Sequence, residues 1–355
     1  MSSDPVPDHP FRRRANINDV ARDAGVSTAT VDRVINRRGG VRLPTIHRVL
    51  SAADRLGYRL PPDLLASYQP PAMRLVFVLP EGHNRYLKLF ADTISRSADE
   101  MAPYNVQCRV ELVPSFNPKA LADRLRTLAS DCDGVAFMAL EHPLVREAVT
   151  ALHAEDVYVL TLITDLSNSP RATFVGMDNR AAGRTAGLLL GRFLGPPGAT
   201  GHKVAMFAGS LSYRGHEERE MGFRHILAES FPHLQVIGLR EGMDDPVRNY
   251  EQAKTLLEQH PDLVGLYNVG GASEGIARAL TEAGRPQHVV FIGHGLTAET
   301  RALLVDGIID AIINVAPETL MRSAARIFCN LRDGRPLATG IDPIPIGVFL
   351  RENLP

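Results

Sequence analysis

Apolar positions along the chain fall into two regimes that meet near residue 74. Upstream the period is helical. In INDVARDAG, Ile17, Val20, Ala21 and Ala24 recur at three- and four-residue spacing, and Gly25 stops the pattern. Ser27 is a good N-cap for a second helix with Val31, Val34 and Ile35 inward. LPTIHRVLSAADRLGY then offers Ile46, Val49, Leu50, Ala53 and Leu56 to one face and ends at Gly57. Next, LPPDLLASYQPPAMR holds four prolines in 15 residues and reads as a linker. From Arg74 onward the texture changes. Short apolar runs (LVFVL, GVAFMAL, VYVLTLI, KVAMFAG, LVGLYNV, HVVFIGHG, IIDAIINV) alternate with amphipathic helical stretches. Strands that are apolar on both faces and alternate with helices belong to parallel α/β sheets. The number of such units is too large for one small sheet, so two lobes with a cleft between them are predicted.

Composition narrows this little. The 355 residues are 45% hydrophobic and 22% charged, as in ordinary globular chains. No apolar run approaches the roughly 18 residues of a membrane span. MSSDPVPDHPFRRR has no apolar core of a secretory signal, so a cytoplasmic location is expected. Cys108, Cys132 and Cys329 lack metal-ligand spacing and are expected to be thiols; no metal and no cofactor is predicted. Charge changes the picture more. The net charge of −1 divides unevenly: residues 1–60 hold 11 arginines against six aspartates, and the rest holds 28 basic against 34 acidic residues. A small basic end on a larger acidic body suggests a polyanion-binding module joined to something else.

The window Ile17–Asn36 supplies the module. Small Ala21 lets two helices cross closely, Gly25 permits the tight turn, and Val31 seals the crossing, with Val20, Ala24, Val26 and Val34 filling the rest. A helix-turn-helix of this kind presents its second helix to a DNA major groove. NINDVARDAGVSTATVDRVIN, followed by RVLSAADRLGY, resembles the headpiece of the LacI/GalR family of bacterial transcription regulators. The body is similar to that family's periplasmic-binding-protein-like effector domain. The expected fold is thus an all-α headpiece followed by a two-lobed α/β body with parallel sheets. The expected divisions are a tail over 1–15, the helix-turn-helix domain over 16–60, a linker or hinge over 61–73 and the effector and dimerisation domain over 74–355.

The resemblance implies roles on the second helix. Thr28, Ala29 and Arg33 stand where the family meets base edges. Arg33 can reach guanine O6 and N7 together, worth about 1–3 kcal/mol of discrimination. Ala29 either touches a thymine methyl or leaves room. Ser27, Asn36, Arg42 and Thr45 are cast as phosphate contacts, which position rather than specify. Arg12–Arg14 either brush phosphates or form a solvated tail. Asp32 stands where most family members carry serine, on one face with Thr28 and Asn36. Its carboxylate either accepts from cytosine N4 or pairs with an arginine of the headpiece. In the linker the resemblance implies a short hinge helix whose leucine wedges into the minor groove. Leu64 or Leu65 would be the wedge, but the expected basic residue is missing and Pro70-Pro71 end the segment early, which leaves a plain linker as the alternative.

In α/β folds ligands bind at the C-terminal ends of parallel strands. Asn84 and Tyr86 follow the first strand, and Tyr86 can stack on a sugar ring. Asp165 after VYVLTLI is a candidate acceptor for hydroxyls. YRGHEEREMGF resembles the family's Arg-x-x-Gly-Phe signature, which makes Arg219 a polar clamp. Asn268, His294 and Asn314 end later strands, although Val269, His294 and Val315 replace the acid, aspartate and glutamine common in the family. Residues of these types fit a sugar or polyol better than an apolar or phosphorylated ligand. No dinucleotide, P-loop or HExxH motif occurs, and an Asp165/His294 acid–base pair would lack an activated nucleophile, so no enzyme is expected. A solute-binding protein of transport type is the alternative for the body, and a carbohydrate-active enzyme a remote one. The resemblance implies a ligand-responsive repressor acting on operator DNA as a homodimer, away from membranes. With FLRENLP straight after the last apparent strand, no leucine-heptad tail is expected.

Overall fold

The computed structural model describes residues 15–61, 64, 70–196 and 203–355. The chain divides after Pro71 into two compact units. Among its described residues the first has the helices α1 (Ile17–Ala24), α2 (Thr28–Ile35) and α3 (Leu43–Arg55). Asn16 caps α1 reciprocally with Asp19, and Gly25 ends it in the left-handed region at φ 62°. Ser27 caps α2 through the Thr30 N–H. Val20, Ala21, Ala24, Val31, Val34, Ile46, Val49, Ala52 and Ala53 form its core, and Arg55 donates twice to Asp23, tying α3 to α1. Leu56 was expected inward, but it lies past the last turn of α3 and is exposed. Ala52 takes the buried place instead.

The second unit contains two sheets. The first has the order β2-β1-β3-β4-β5 and the second β11-β10-β9-β8-β6-β7. The strands of the first are β1 (Met73–Glu81), β2 (Val106–Pro114), β3 (Gly134–Phe137), β4 (Tyr158–Leu162) and β5 (Thr173–Val175). Those of the second are β6 (Lys203–Ala208), β7 (Gln235–Glu241), β8 (Leu263–Asn268), β9 (Val290–His294), β10 (Ala311–Asn314) and β11 (Gly347–Phe349). All pairings are parallel except β10 with β11. The seven apolar runs read from sequence are the seven interior strands. The other four, β2, β5, β7 and β11, are the sheet edges.

Each sheet carries the order in which the second strand lies outside the first, which puts a crevice at its carboxyl ends. One face of the first sheet (Val76, Val78, Val135, Phe137) packs under α5 (Pro118–Thr127) and α6 (Pro143–Ala154). The corresponding face of the second (Ala205, Phe207, Leu266, Phe291) lies under α9 (Pro246–Gln259) and α10 (Ser273–Glu282). The chain crosses between the lobes so that helices cover the sheet they do not follow. The helix after β5, α7 (Asn179–Leu194), packs on β8, β9 and β10, beside α8 (Arg214–Ser230). The helix after β10, α12 (Pro317–Arg332), packs on β4, β5 and α4 (Arg85–Arg96) of the first lobe. A further helix, α11 (Ala298–Val305), follows β9. At these crossings the chain passes from one lobe to the other.

Candidate functional site

On the first unit, Thr28, Ala29, Arg33, Asn36 and Arg42 are exposed and Thr45 is half-buried. Arg33 makes no ion pair among the described residues. Ser27 Oγ accepts from the Thr30 N–H at 3.2 Å and bonds Thr30 Oγ1 at 2.9 Å, so capping already occupies it. Of the two arrangements open to Asp32, the structure contains the internal one, an ion pair with Arg38 at 3.0 Å. Leu64 is helical and fully buried, so a minor-groove wedge here would first have to leave that burial. Leu65 and Arg12–Arg14 lie outside the described residues.

In the second unit a cavity open to solvent lies between the lobes, at the carboxyl ends of the strands. Asn84, Tyr86, Arg219, His294 and Asn314 line it. Asn84 caps α4 with its Oδ1, and its Nδ2 crosses the cleft to Asp244 Oδ2 at 2.8 Å. Tyr86 OH donates to the Val315 carbonyl at 2.8 Å, leaving its ring as the cleft surface. Burial pushes that hydroxyl's pKa up. Asn314 Oδ1 accepts from the Leu296 N–H at 2.9 Å, which orients the side chain.

Arg219 is the centre of the arrangement. It is buried on α8, with Nε donating to Asn179 Oδ1 at 2.8 Å and Nη1 to the Val269 carbonyl at 2.7 Å. Among the described residues Nη2 has no partner and no carboxylate lies within ion-pair distance. Desolvation lowers its pKa, as expected for a buried cation. The same burial, with the Arg219 charge second, holds two imidazoles neutral. His216 is pushed down to about 4, and His294 well below its ordinary value. His216 Nδ1 faces the Ser210 carbonyl at 3.0 Å, and His294 Nε2 bonds Tyr267 OH at 2.7 Å. The site thus offers arginine donors, neutral imidazoles and amides over an apolar floor that includes Met138, Met177 and Leu320.

Two expected residues are not in the lining. Asp165 follows β4 as expected, but its carboxylate accepts from Thr161 Oγ1 at 2.6 Å and the Leu166 N–H at 2.8 Å and pairs with Arg171. A nearby arginine satisfies it locally, and among the described residues it bonds no imidazole. Asn268 is spent on the turn after β8: Nδ2 donates to the Gly271 carbonyl and Ser273 Oγ, and Oδ1 accepts from the Gly270 N–H. The cleft also uses residues not singled out from sequence. His216 stands three residues before Arg219, a spacing that places both on one helix face and could have identified it. Asn179 and Asp244 carried no such signal, because their roles depend on partners 40 and 160 residues away. No group of acidic, histidine or cysteine side chains suited to a metal occurs among the described residues, the three cysteines are free, and no helix among those residues is long and apolar enough to cross a membrane.

The profile described as bacterial regulatory proteins, lacI family, matches residues 16–60, and that of a periplasmic binding protein domain matches residues 76–336. The chain is 30% identical over 276 residues to the HTH-type transcriptional repressor PurR of Mannheimia succiniciproducens, covering 76% of this chain and 78% of PurR. It is 26% identical to the HTH-type transcriptional regulator DegA of Bacillus subtilis and 27% to the sucrose operon repressor of Streptococcus mutans, in each case over 61% of this chain. It spans only 62% and 63% of those two relatives' lengths. Among solved structures, GanP, a glucose-galactose binding protein of Geobacillus stearothermophilus, superposes with a TM-score of 0.71 at 24% identity, over 80% of this chain and 99% of GanP. A solute-binding protein of Burkholderia graminis in complex with D-arabinose gives 0.70 at 22%, over 79% and 96%. At these identities the structures speak for the fold alone. With a matching headpiece, a matching body and a repressor 30% identical over 78% of its length, the chain belongs to the LacI family of bacterial regulatory proteins.

Proposed function

We propose that the chain is a sequence-specific DNA-binding transcriptional regulator, a repressor, whose hold on operator DNA is set by a small polar ligand in the interlobe cleft. The observation that carries this reading is the joining, in one chain, of a helix-turn-helix with an exposed basic face to a body whose cleft contains a buried, incompletely bonded arginine. A guanidinium with unused donors, neutral imidazoles and amides suits a ligand rich in hydroxyls, a sugar or polyol. Arg219, Asn84, Tyr86, His294 and Asn314 are its proposed contacts. Thr28, Ala29 and Arg33 are the proposed base-facing residues, with Asn36, Arg42 and Thr45 on phosphates. A ligand that favours one lobe arrangement shifts the DNA-binding equilibrium only through that preference. A headpiece reads few base pairs, so a cytoplasmic homodimer on a near-palindromic operator completes the reading. It makes the protein a binding device and not an enzyme. A solute-binding protein for transport is disfavoured by the headpiece.

Thermal unfolding of the full chain with a panel of sugars and polyols tests the cleft. At least one compound should raise the unfolding temperature. Arg219→Ala should weaken that compound roughly 10- to 100-fold, the usual worth of charge-assisted hydrogen bonds. Undiminished affinity in the variant would remove Arg219 from the site. Selection of DNA from a randomised library tests the headpiece, with loss of base preference expected for Arg33→Ala.

A further inference from the structure

The carboxylate of Asp32 is held from two sides. Asn36 Nδ2 donates to Oδ1 at 2.7 Å and Arg38 Nη1 donates to Oδ2 at 3.0 Å. The chain reverses between these donors because Arg37 is left-handed, at φ 54°. The Arg38 N–H then closes back on the Arg33 carbonyl at 2.8 Å. The Arg38 and Asp32 side chains keep 67% and 40% of their surface in solvent. An ion pair this exposed contributes little to stability, so its place on the surface calls for another explanation. Residues 28, 32 and 36 share one side of α2. A bare carboxylate on that side would be repelled by phosphates, whereas one capped by a guanidinium is locally neutral. Arg38 spends one of its five donors on Asp32, and the other four are uncommitted among the described residues.

We propose that Arg38 is a phosphate-contacting residue and that Asp32 is the positioning residue that holds it, so that Asp32 acts on DNA through Arg38 and not as a reader of cytosine. The guanidinium bridges two anions, the carboxylate behind it and a backbone phosphate in front, each by a charge-assisted hydrogen bond. Such a contact strengthens binding without carrying sequence information. The inference rests on the DNA-binding reading above.

The test is binding of the full chain to a short mixed-sequence duplex pool, followed by fluorescence anisotropy across a salt series. Arg38→Ala should reduce the slope of log K on log salt by about 0.9, the value of one phosphate contact, and Arg38→Lys should keep it. Asp32→Asn and Asp32→Ala lose the same charge, but only asparagine still offers Arg38 an oxygen. The asparagine variant should therefore bind roughly 2- to 10-fold more tightly than the alanine variant, the worth of one hydrogen bond. That difference should vanish in the Arg38→Ala background, and thermal unfolding should be the same throughout. An unchanged slope in Arg38→Ala, or equal binding by the two Asp32 variants, overturns the inference and leaves the DNA-binding reading standing. Wild-type binding that is insensitive to salt overturns both.

Discussion

A Cβ added at Gly25 would meet no atom within 4 Å, yet the residue sits at φ 62°, where an L side chain is strained. A Cβ at Gly183 has an ordinary backbone but would lie 2.0 Å from the Arg219 carbonyl oxygen. One glycine is required by conformation and the other by proximity. Gly25→Ala should cost about 1–2 kcal/mol of headpiece stability through the left-handed penalty alone, measured by denaturant unfolding. Gly183→Ala forces α7 away from α8, with an expected loss of about 1–3 kcal/mol from overpacking. Because Arg219 stands at that contact and hydrogen-bonds Asn179 of α7, this substitution should also weaken any ligand that stabilises the wild-type chain. A ligand-induced rise in unfolding temperature that survives Gly183→Ala would separate the helix crossing from the cleft. Gly25 was legible from its place after a helical pattern. Gly183 was not, since only the partner helix makes its smallness necessary.

Elements differed in legibility for the same kind of reason. The seven interior strands are covered by helices on both faces, so their sequences are continuous apolar runs. Edge strands are half-exposed. In β2, VQCRVELVP mixes buried Val106 and Val113 with arginine and glutamate, and Leu112 is 56% exposed. Edges are also where charged side chains discourage further pairing, which removes the very pattern by which a strand is read. Helix starts in the headpiece were clearer because capping chemistry is local. Asn16 and Asp19 satisfy each other's backbone N–H groups. Asn16→Ala should therefore lower headpiece stability by about 0.5–2 kcal/mol, seen as earlier loss of headpiece helicity with the body unaffected. Within α7, Gly183, Gly187 and Gly191 recur every four residues, and each would clash with α8 or with Phe231 just beyond it if given a side chain. This spacing is visible in sequence, but its meaning depends on which helix lies opposite.

For the molecule as a whole, the buried imidazoles set a pH dependence. His216 and His294 are neutral in the fold, by burial first and the Arg219 charge second. An unfolded chain protonates the same groups near the ordinary value of 6.5. Between there and about 4 the unfolded state binds more protons, so stability is complete above about 6.5 and declines as pH falls through that window. For His216 the slope should reach about 1.4 kcal/mol per pH unit. Unfolding free energies between neutral and mildly acid pH should show it, and His216→Gln should flatten the profile. By itself the sequence determined the helix-turn-helix, the parallel two-lobed body, the division near the proline-rich segment and the strand ends that carry Asn84, His294 and Asn314. Each of these follows from periodicity, turn chemistry or chain direction, which act over a few residues. Only the tertiary structure decided that Asp165 and Asn268 are consumed locally, that His216, Asn179 and Asp244 join Arg219 or Asn84, and that Arg38 covers Asp32. Those outcomes depend on which donors fold to within about 3 Å of which acceptors, and burial makes unsatisfied groups costly enough to enforce them.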